Sequence, residues 1–231
     1  MAREVKEYQE RREEIIITAR QLFFLQGYED TPISDIIHHI GIAKGTFYHY
    51  FDSKEDLMIA LADEITDEAI AIIAKITTDS ELDARTKFQM AFNRTGNWKV
   101  ENRQMMLELL RVMYSPNNLR LHETLNKMSL EKAAPYFAEI IRQGLDEGVW
   151  NTDYPDEIAR IIFHMGLGIA EQFSESFLRL AEASSDERAG IINRVKREYQ
   201  VYEYAISRLL GTDDVTLTLI DIGLVDAMFG E

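Results

Sequence analysis

Residues 31–54 read TPISDIIHHIGIAKGTFYHYFDSK. Thr31 and Pro32 suit a helix start, Thr as a cap and Pro in the first turn, where its missing N–H had no partner. Ile33, Ile36, Ile37 and Ile40 then fall at i, i+3, i+4 and i+7, one apolar face. Gly41 breaks that helix, and a second short helix is predicted over about 43–50. At 100° per residue Ala43, Phe47, Tyr50 and Phe51 cluster on one side of it, towards Ile33, Ile36 and Ile37. Gly45, Tyr48 and His49 point the other way, flanked by Lys44 and Thr46. Two short helices joined by a Gly-containing turn make a helix-turn-helix, whose second helix can enter the DNA major groove. Gly in a short helix costs about 1 kcal/mol relative to Ala. Gly45 is therefore expected where the backbone must come close to another surface.

The flanking sequence continues in helices. A first helix is predicted over about 5–26, with Ile15, Ile16, Ala19, Leu22 and Phe23 as its buried stripe and Gly27 as a left-handed cap. Downstream, Ser53-Lys-Glu-Asp56 has the form of a capping box and opens a long helix to about 76. Further helices are expected over about 81–93, 101–114, 117–147, 155–182 and 185–210, with Pro135 kinking or dividing the third of these. Trp150 follows the turn at Gly148 as a tuck-in residue. The segment 214–229 fits both an alternating strand pattern and a longer helical one, and the helix is preferred. The expected fold class is all-α: an N-terminal three-helix helix-turn-helix domain, 1–52, followed by a larger helical body, 53–231, with helix 53–76 linking the two.

Composition narrows the function classes. The chain has 231 residues and no cysteine, so disulfides, Cys-based metal sites and thiol nucleophiles are excluded. The N-terminus MAREVKEYQERREEIII lacks the apolar run of a signal peptide, and no stretch approaches the roughly 18 apolar residues of a membrane span. A cytoplasmic location is expected. No HExxH, GxSxG or phosphate-loop pattern occurs, and the scattered His and carboxylates have no metal-ligand spacing. No catalytic residue, metal or cofactor is therefore expected.

The net charge of −15 runs against the basic footprint usual for a nucleic-acid binder. It is unevenly spread. Residues 1–60 hold 7 Lys+Arg against 11 Asp+Glu, and residues 36–51 hold one Lys, no acid and three of the five histidines, His38, His39 and His49. The presumptive contact face is free of acid even though its surroundings are not. Arg11 and Arg12 lie among Glu10, Glu13 and Glu14, where pairing along the helix competes with any DNA contact.

The stretch 23–57, FFLQGYEDTPISDIIHHIGIAKGTFYHYFDSKEDL, resembles the N-terminal domain of TetR-family (tetracycline-repressor-like) transcriptional regulators. Gly27-Tyr28, Thr31, Ile36, Gly41, the run Lys44-Gly-Thr-Phe-Tyr-His-Tyr-Phe51 and Ser53-Lys54 carry the resemblance, in register. It implies that Thr31 and Lys54 touch phosphates and that Lys44, Gly45, Thr46, Tyr48 and His49 face phosphates and bases. Phe47 and Phe51 match core positions. Ala43 departs from the Ser or Thr frequent there, which removes a cap.

The resemblance also implies a homodimer on double-stranded operator DNA and a small-molecule effector in the body, without a membrane partner. The helices over 155–182 and 185–210 carry apolar stripes whose default reading is core, and they match the dimerising pair. Met165, Ile169, Phe173, Val195, Tyr199 and Tyr202 are the candidate dimer residues, and Gly166, Gly168 and Ala170 would admit another backbone. Trp98, Met105, Arg111, Tyr114, His164 and Gln172 are candidate pocket residues. The leading expectation is a ligand-responsive repressor on a palindromic operator. The alternative is a helical ligand-binding or interaction protein whose helix-turn-helix no longer engages DNA.

Overall fold

The computed structural model describes residues 2–115, 118–180, 183–212, 223 and 225–226. Among them run nine helices: α1 (Ala2–Gln26), α2 (Ile33–Ile40), α3 (Lys44–Tyr50), α4 (Lys54–Thr77), α5 (Ala84–Glu101), α6 (Arg103–Met113), α7 (Leu119–Asp146), α8 (Pro155–Leu180) and α9 (Ser185–Leu209). The fold is all-α, as the periodicity requires. Of the ambiguous segment 214–229, all but Gly223, Val225 and Asp226 lie outside the described residues, and those three are helical. No helix among the described residues is long and apolar enough to cross a membrane.

Contacts divide the chain into two compact units, Met1–Thr66 with Gln104–Leu125, and Asp67–Arg103 with Asn126–Glu231. In the first unit α1 buries Ile15, Ile16, Ala19 and Phe23. Gly27, at φ 88°, closes α1 by donating its N–H to the Phe23 carbonyl at 2.9 Å. Tyr28 folds back so that its ring lies edge-on to Phe23, 5.1 Å between centroids. The same core takes Ile36 of α2, Phe47 of α3, Phe51, and Leu57 and Leu61 of α4.

In the second unit Phe88, Phe137, Ile140, Ile141, Trp150, Ile162, Tyr202 and Ile206 form one buried cluster. Trp150 lies flat over Gly144: a Cβ there would stand 2.1 Å from the ring, so only glycine fits. A buried ammonium closes one end of this unit. Lys87 donates to the Thr77 carbonyl and to Gln143 Oε1, each at 2.8 Å, and Gln143 in turn donates to the Leu82 carbonyl and to Glu147. Every hydrogen of that buried network has a polar destination, which is what keeps it from destabilising the fold.

Several local expectations differ from what is seen. Thr31 does not cap α2. Pro32 is the N-cap residue, and the Thr31 hydroxyl instead donates to the Gly27 carbonyl at 2.6 Å. Ser53 accepts from the Asp56 N–H at 3.0 Å, whereas Asp56 reaches the N–H of Asp52 rather than that of Ser53, a box displaced by one residue. α5 starts later and ends later than its apolar pattern suggests. Asp83 caps it by accepting from the Thr86 N–H at 2.8 Å, and it runs on through Gly96 to Glu101. α7 is a single element with Pro135 inside it.

Candidate nucleic-acid interface

α3 begins at Ala43, whose carbonyl accepts from Thr46 and Phe47 and whose side chain makes no cap. Before it, Gly41 at φ 77° donates its N–H to the Ile37 carbonyl at 3.0 Å, and Ile42 reaches the same carbonyl at 3.2 Å. That left-handed turn lets α3 start two residues after α2 has ended, at a new angle. Two anchors then fix the rotation of α3 about its axis, because Phe47 and Phe51 are buried against each other, 5.9 Å apart. Ala43, expected on this inner side, is exposed, and Tyr50 is only half-buried. Both lie at the ends of the helix, where it has already left the core.

With Phe47 and Phe51 inside, Lys44, Gly45, Tyr48 and His49 are exposed and Thr46 is half-exposed. A Cβ built on Gly45 would meet nothing within 4 Å, so this is open surface. Tyr48 is 43% exposed, stands edge-on to Phe47 and carries the Lys44 ammonium 5.9 Å from its ring centre. The five residues expected on the outer face are thus brought together. Each offers a group that nucleic acid can use: an ammonium, a hydroxyl, a phenol, an imidazole, and a bare backbone for close approach.

Thr31 and Lys54 are placed differently. Thr31 has no exposed surface. The Lys54 ammonium donates to the carbonyls of Tyr28 at 2.8 Å, Thr31 at 3.2 Å and Glu29 at 3.4 Å, and sits 4.3 Å from the Tyr28 ring centre. It joins the first turn of α4 to the turn between α1 and α2, and would have to leave these carbonyls to meet a phosphate. Burial, with Glu29 and Glu55 adding to it, pushes the Tyr28 phenol up to about 12.

Two contacts were not legible in the sequence. Tyr8 of α1 packs its ring on His49 and Tyr50, and the Arg12 guanidinium lies 5.3 Å from the Phe51 ring centre. Arg11 forms an ion pair with Glu14. A signal for Tyr8 existed in its spacing, seven residues before Ile15 on one stripe of the helix, but the charged run around it hid it.

The candidate pocket residues fall in both units and are described within each. In the first, Met105 is buried and its sulfur accepts from Arg20 at 3.0 Å. Arg111 is exposed and paired with Glu108, and Tyr114 stacks on His122 at 4.7 Å. In the second, Trp98 is half-buried at the end of α5, His164 is exposed on α8, and Gln172 lines an open groove of about 510 Å³ between α8 and α9. Met165, Ile169 and Tyr202 line the same groove.

The remaining candidate dimer residues split off from these. Phe173, Val195 and Tyr199 pack inward with Ile192 and Val225, and burial, with Glu198, pushes the Tyr199 phenol up to about 12. Gly166 admits not another backbone but the chain's own Tyr202, whose hydroxyl would lie 2.9 Å from a Cβ there and donates to the Ile162 carbonyl at 2.7 Å. Gly168 is open. The apolar groups most exposed on this pair of helices are Val201 (60%), Tyr204 (50%) and Ile161 (43%), which the stripes did not single out. Among the described residues no group of three or more His, Asp or Glu side chains could hold a metal ion.

A helix-turn-helix with a solvent-facing second helix, on an otherwise helical chain, defines a helix-turn-helix regulator. Residues 15–61 match the family described as bacterial regulatory proteins, tetR family, and residues 101–170 match the tetracyclin repressor-like C-terminal domain. The chain belongs to the TetR family of transcriptional regulators. It is similar to the uncharacterized HTH-type transcriptional regulator YuxN of Bacillus subtilis, 27% identical over 199 residues, which is 74% of this chain and 68% of that one. In fold it is similar to RolR complexed with resorcinol, with a TM-score of 0.62 at 16% identity over 96% of this chain and 95% of that chain. It is also similar to the FadR repressor of Thermus thermophilus in complex with lauroyl-CoA, with a TM-score of 0.55 at 18% identity over 83% and 92% of the two chains.

Proposed function

We propose that the protein is a ligand-responsive transcriptional repressor that binds a palindromic operator as a homodimer and is released by a small molecule held in its C-terminal body. The DNA-binding part is 1–52 and the effector-binding and dimerising part 53–231. The observation that carries the reading is the outer side of α3, where Lys44, Gly45, Tyr48 and His49 are exposed together, with no acid between 36 and 51. Lys44 and Thr46 would meet phosphates, and Tyr48 and His49 base edges. Thr31 and Lys54 enter this reading as positioning residues that hold the α1–α2 turn against α4, since neither offers a free polar group to the outside.

Two copies joined through α8 and α9 would present their α3 helices about 34 Å apart, one turn of DNA, and so match a two-fold operator. Exposed Ile161, Val201 and Tyr204, beside the groove lined by Met165 and Ile169, support that surface. An effector reading is supported by the RolR and FadR structures, which hold resorcinol and lauroyl-CoA. For such a molecule to release DNA it must bind more tightly to the state in which the two α3 helices are too far apart. Trp98, Met105, Arg111, Tyr114, His164 and Gln172 are the residues proposed for it.

A gel shift with the DNA flanking the protein's own gene tests the function. Sequence-preferring binding is expected, with log K falling against log salt at a slope of about −0.9 per phosphate contacted. Binding of a small molecule with no preferred DNA sequence at any salt concentration overturns the repressor reading in favour of a helical ligand-binding protein.

A further inference from the structure

The recognition face has a support that lies outside the helix-turn-helix. Tyr8, half-buried on α1, stands 5.7 Å from the His49 ring at an interplanar angle of 83°, and 4.6 Å from the Tyr50 ring at 34°. His49 and Tyr50 are themselves 5.2 Å apart at 81°. Each of the three rings therefore touches the other two. An exposed histidine at the end of a seven-residue helix would ordinarily sample several rotamers. Here the imidazole is held edge-on between two phenol rings while one side of it stays open to solvent. Its nitrogens supply a donor and an acceptor, the groups that read a base edge in the major groove.

The surroundings favour a base over a phosphate at this point. The groove of about 590 Å³ beside His49 and Tyr50 is walled by Glu7, Glu10, Arg11 and Glu14, and Arg11 is paired with Glu14. A phosphate brought there would meet an excess of carboxylates. A neutral base edge would not be repelled.

We propose that Tyr8 is a positioning residue for sequence readout: it fixes the His49 imidazole so that this end of α3 distinguishes one base pair in each half of the operator. The inference rests on the DNA-binding function proposed above. The test is selection of binding sites from a random DNA pool by the full-length protein, followed by affinity measurements on every single-base variant of the selected site. His49→Ala is expected to lose about tenfold discrimination at one symmetric pair of positions. Tyr8→Ala is expected to lose it at the same pair, Tyr8→Phe to keep it, and the double variant to behave as His49→Ala alone. Tyr8→Leu, which retains apolar cover without a ring, repeats the test should Tyr8→Ala lower the melting temperature. Even weakening at all positions, or additive losses in the double variant, overturns the role of Tyr8 while leaving the function standing. A wild-type protein that enriches no sequence overturns the function and this inference with it.

Discussion

Along α3 each side of the helix has one task, whereas along α8 and α9 the apolar residues have two. In α3, Phe47 is buried and its sequence neighbour Tyr48 is turned to solvent, so two adjacent aromatic residues separate cleanly into anchor and contact. In α8 and α9 the apolar positions divide between an inward cluster holding Val195, Tyr199 and Phe173 and an outward surface holding Ile161, Val201 and Tyr204. A helix of seven residues held by two phenylalanines has a single possible rotation. A helix of 25 or 26 residues has apolar groups on more than one face, and spacing alone does not say which face meets the chain's own core.

The comparison can be broken first at its anchor. Phe47→Ala removes a fully buried ring, and a loss of about 3–5 kcal/mol is expected in chemical denaturation of the first unit, with DNA binding lost as a consequence. If the variant folds and binds as the wild type does, the orientation of α3 is not set by this residue. Lys54→Met keeps the aliphatic stem and removes the ammonium from three carbonyls. A loss of about 1–3 kcal/mol is expected, with no change in the salt slope of DNA binding. A slope shallower by about 0.9 with unchanged stability identifies Lys54 as a phosphate contact instead.

The outward surface of α8 and α9 offers the contrasting test. Val201→Asp adds a charge where the single chain is open, so the fold should melt within about 0.5 kcal/mol of the wild type. Self-association measured by sedimentation should weaken by at least about tenfold, equivalent to about 1.4 kcal/mol. Unchanged association moves the dimer surface elsewhere.

The smallest effect concerns the body alone. Asp83 caps α5, and the hydrogen bond from the Thr86 N–H holds its carboxyl below the ordinary value of 3.8. A carboxyl lowered on folding stabilises the fold above its unfolded value, and that stabilisation is lost as pH falls through the folded value. Asp83→Ala should therefore cost about 1 kcal/mol at neutral pH, and its melting curve should converge on that of the wild type under acid conditions. A deficit that persists in acid assigns the effect to something other than the charged cap.

What was legible in the sequence follows the same division. Ile36, Phe47 and Phe51 inside and Lys44, Gly45, Tyr48 and His49 outside could be read from 100° steps, because a short helix between Gly41 and Ser53 leaves little choice. Contacts between segments distant in sequence could not. Nothing near Lys54 announces that its partners are carbonyls at 28–31, and nothing near His49 announces Tyr8, 41 positions earlier. The length of α5 was hidden by Gly96 and by polar residues that face solvent. In the body, Gly166 read as space for a second chain and is filled by Tyr202 of the same chain, since spacing shows that room exists and not who occupies it.

The claim at the centre is that the acid-free outer face of α3 reads DNA for a protein whose net charge is −15. Its most direct test is an anisotropy titration of the wild type and of Tyr48→Ala on the selected operator and on a scrambled duplex, at two salt concentrations. The Tyr48 ring is exposed, so its removal should leave the melting temperature unchanged. The account predicts that Tyr48→Ala loses about tenfold or more in preference for the operator, while binding to the scrambled duplex, weak in both proteins, stays the same. An operator affinity equal to the wild type's would contradict it.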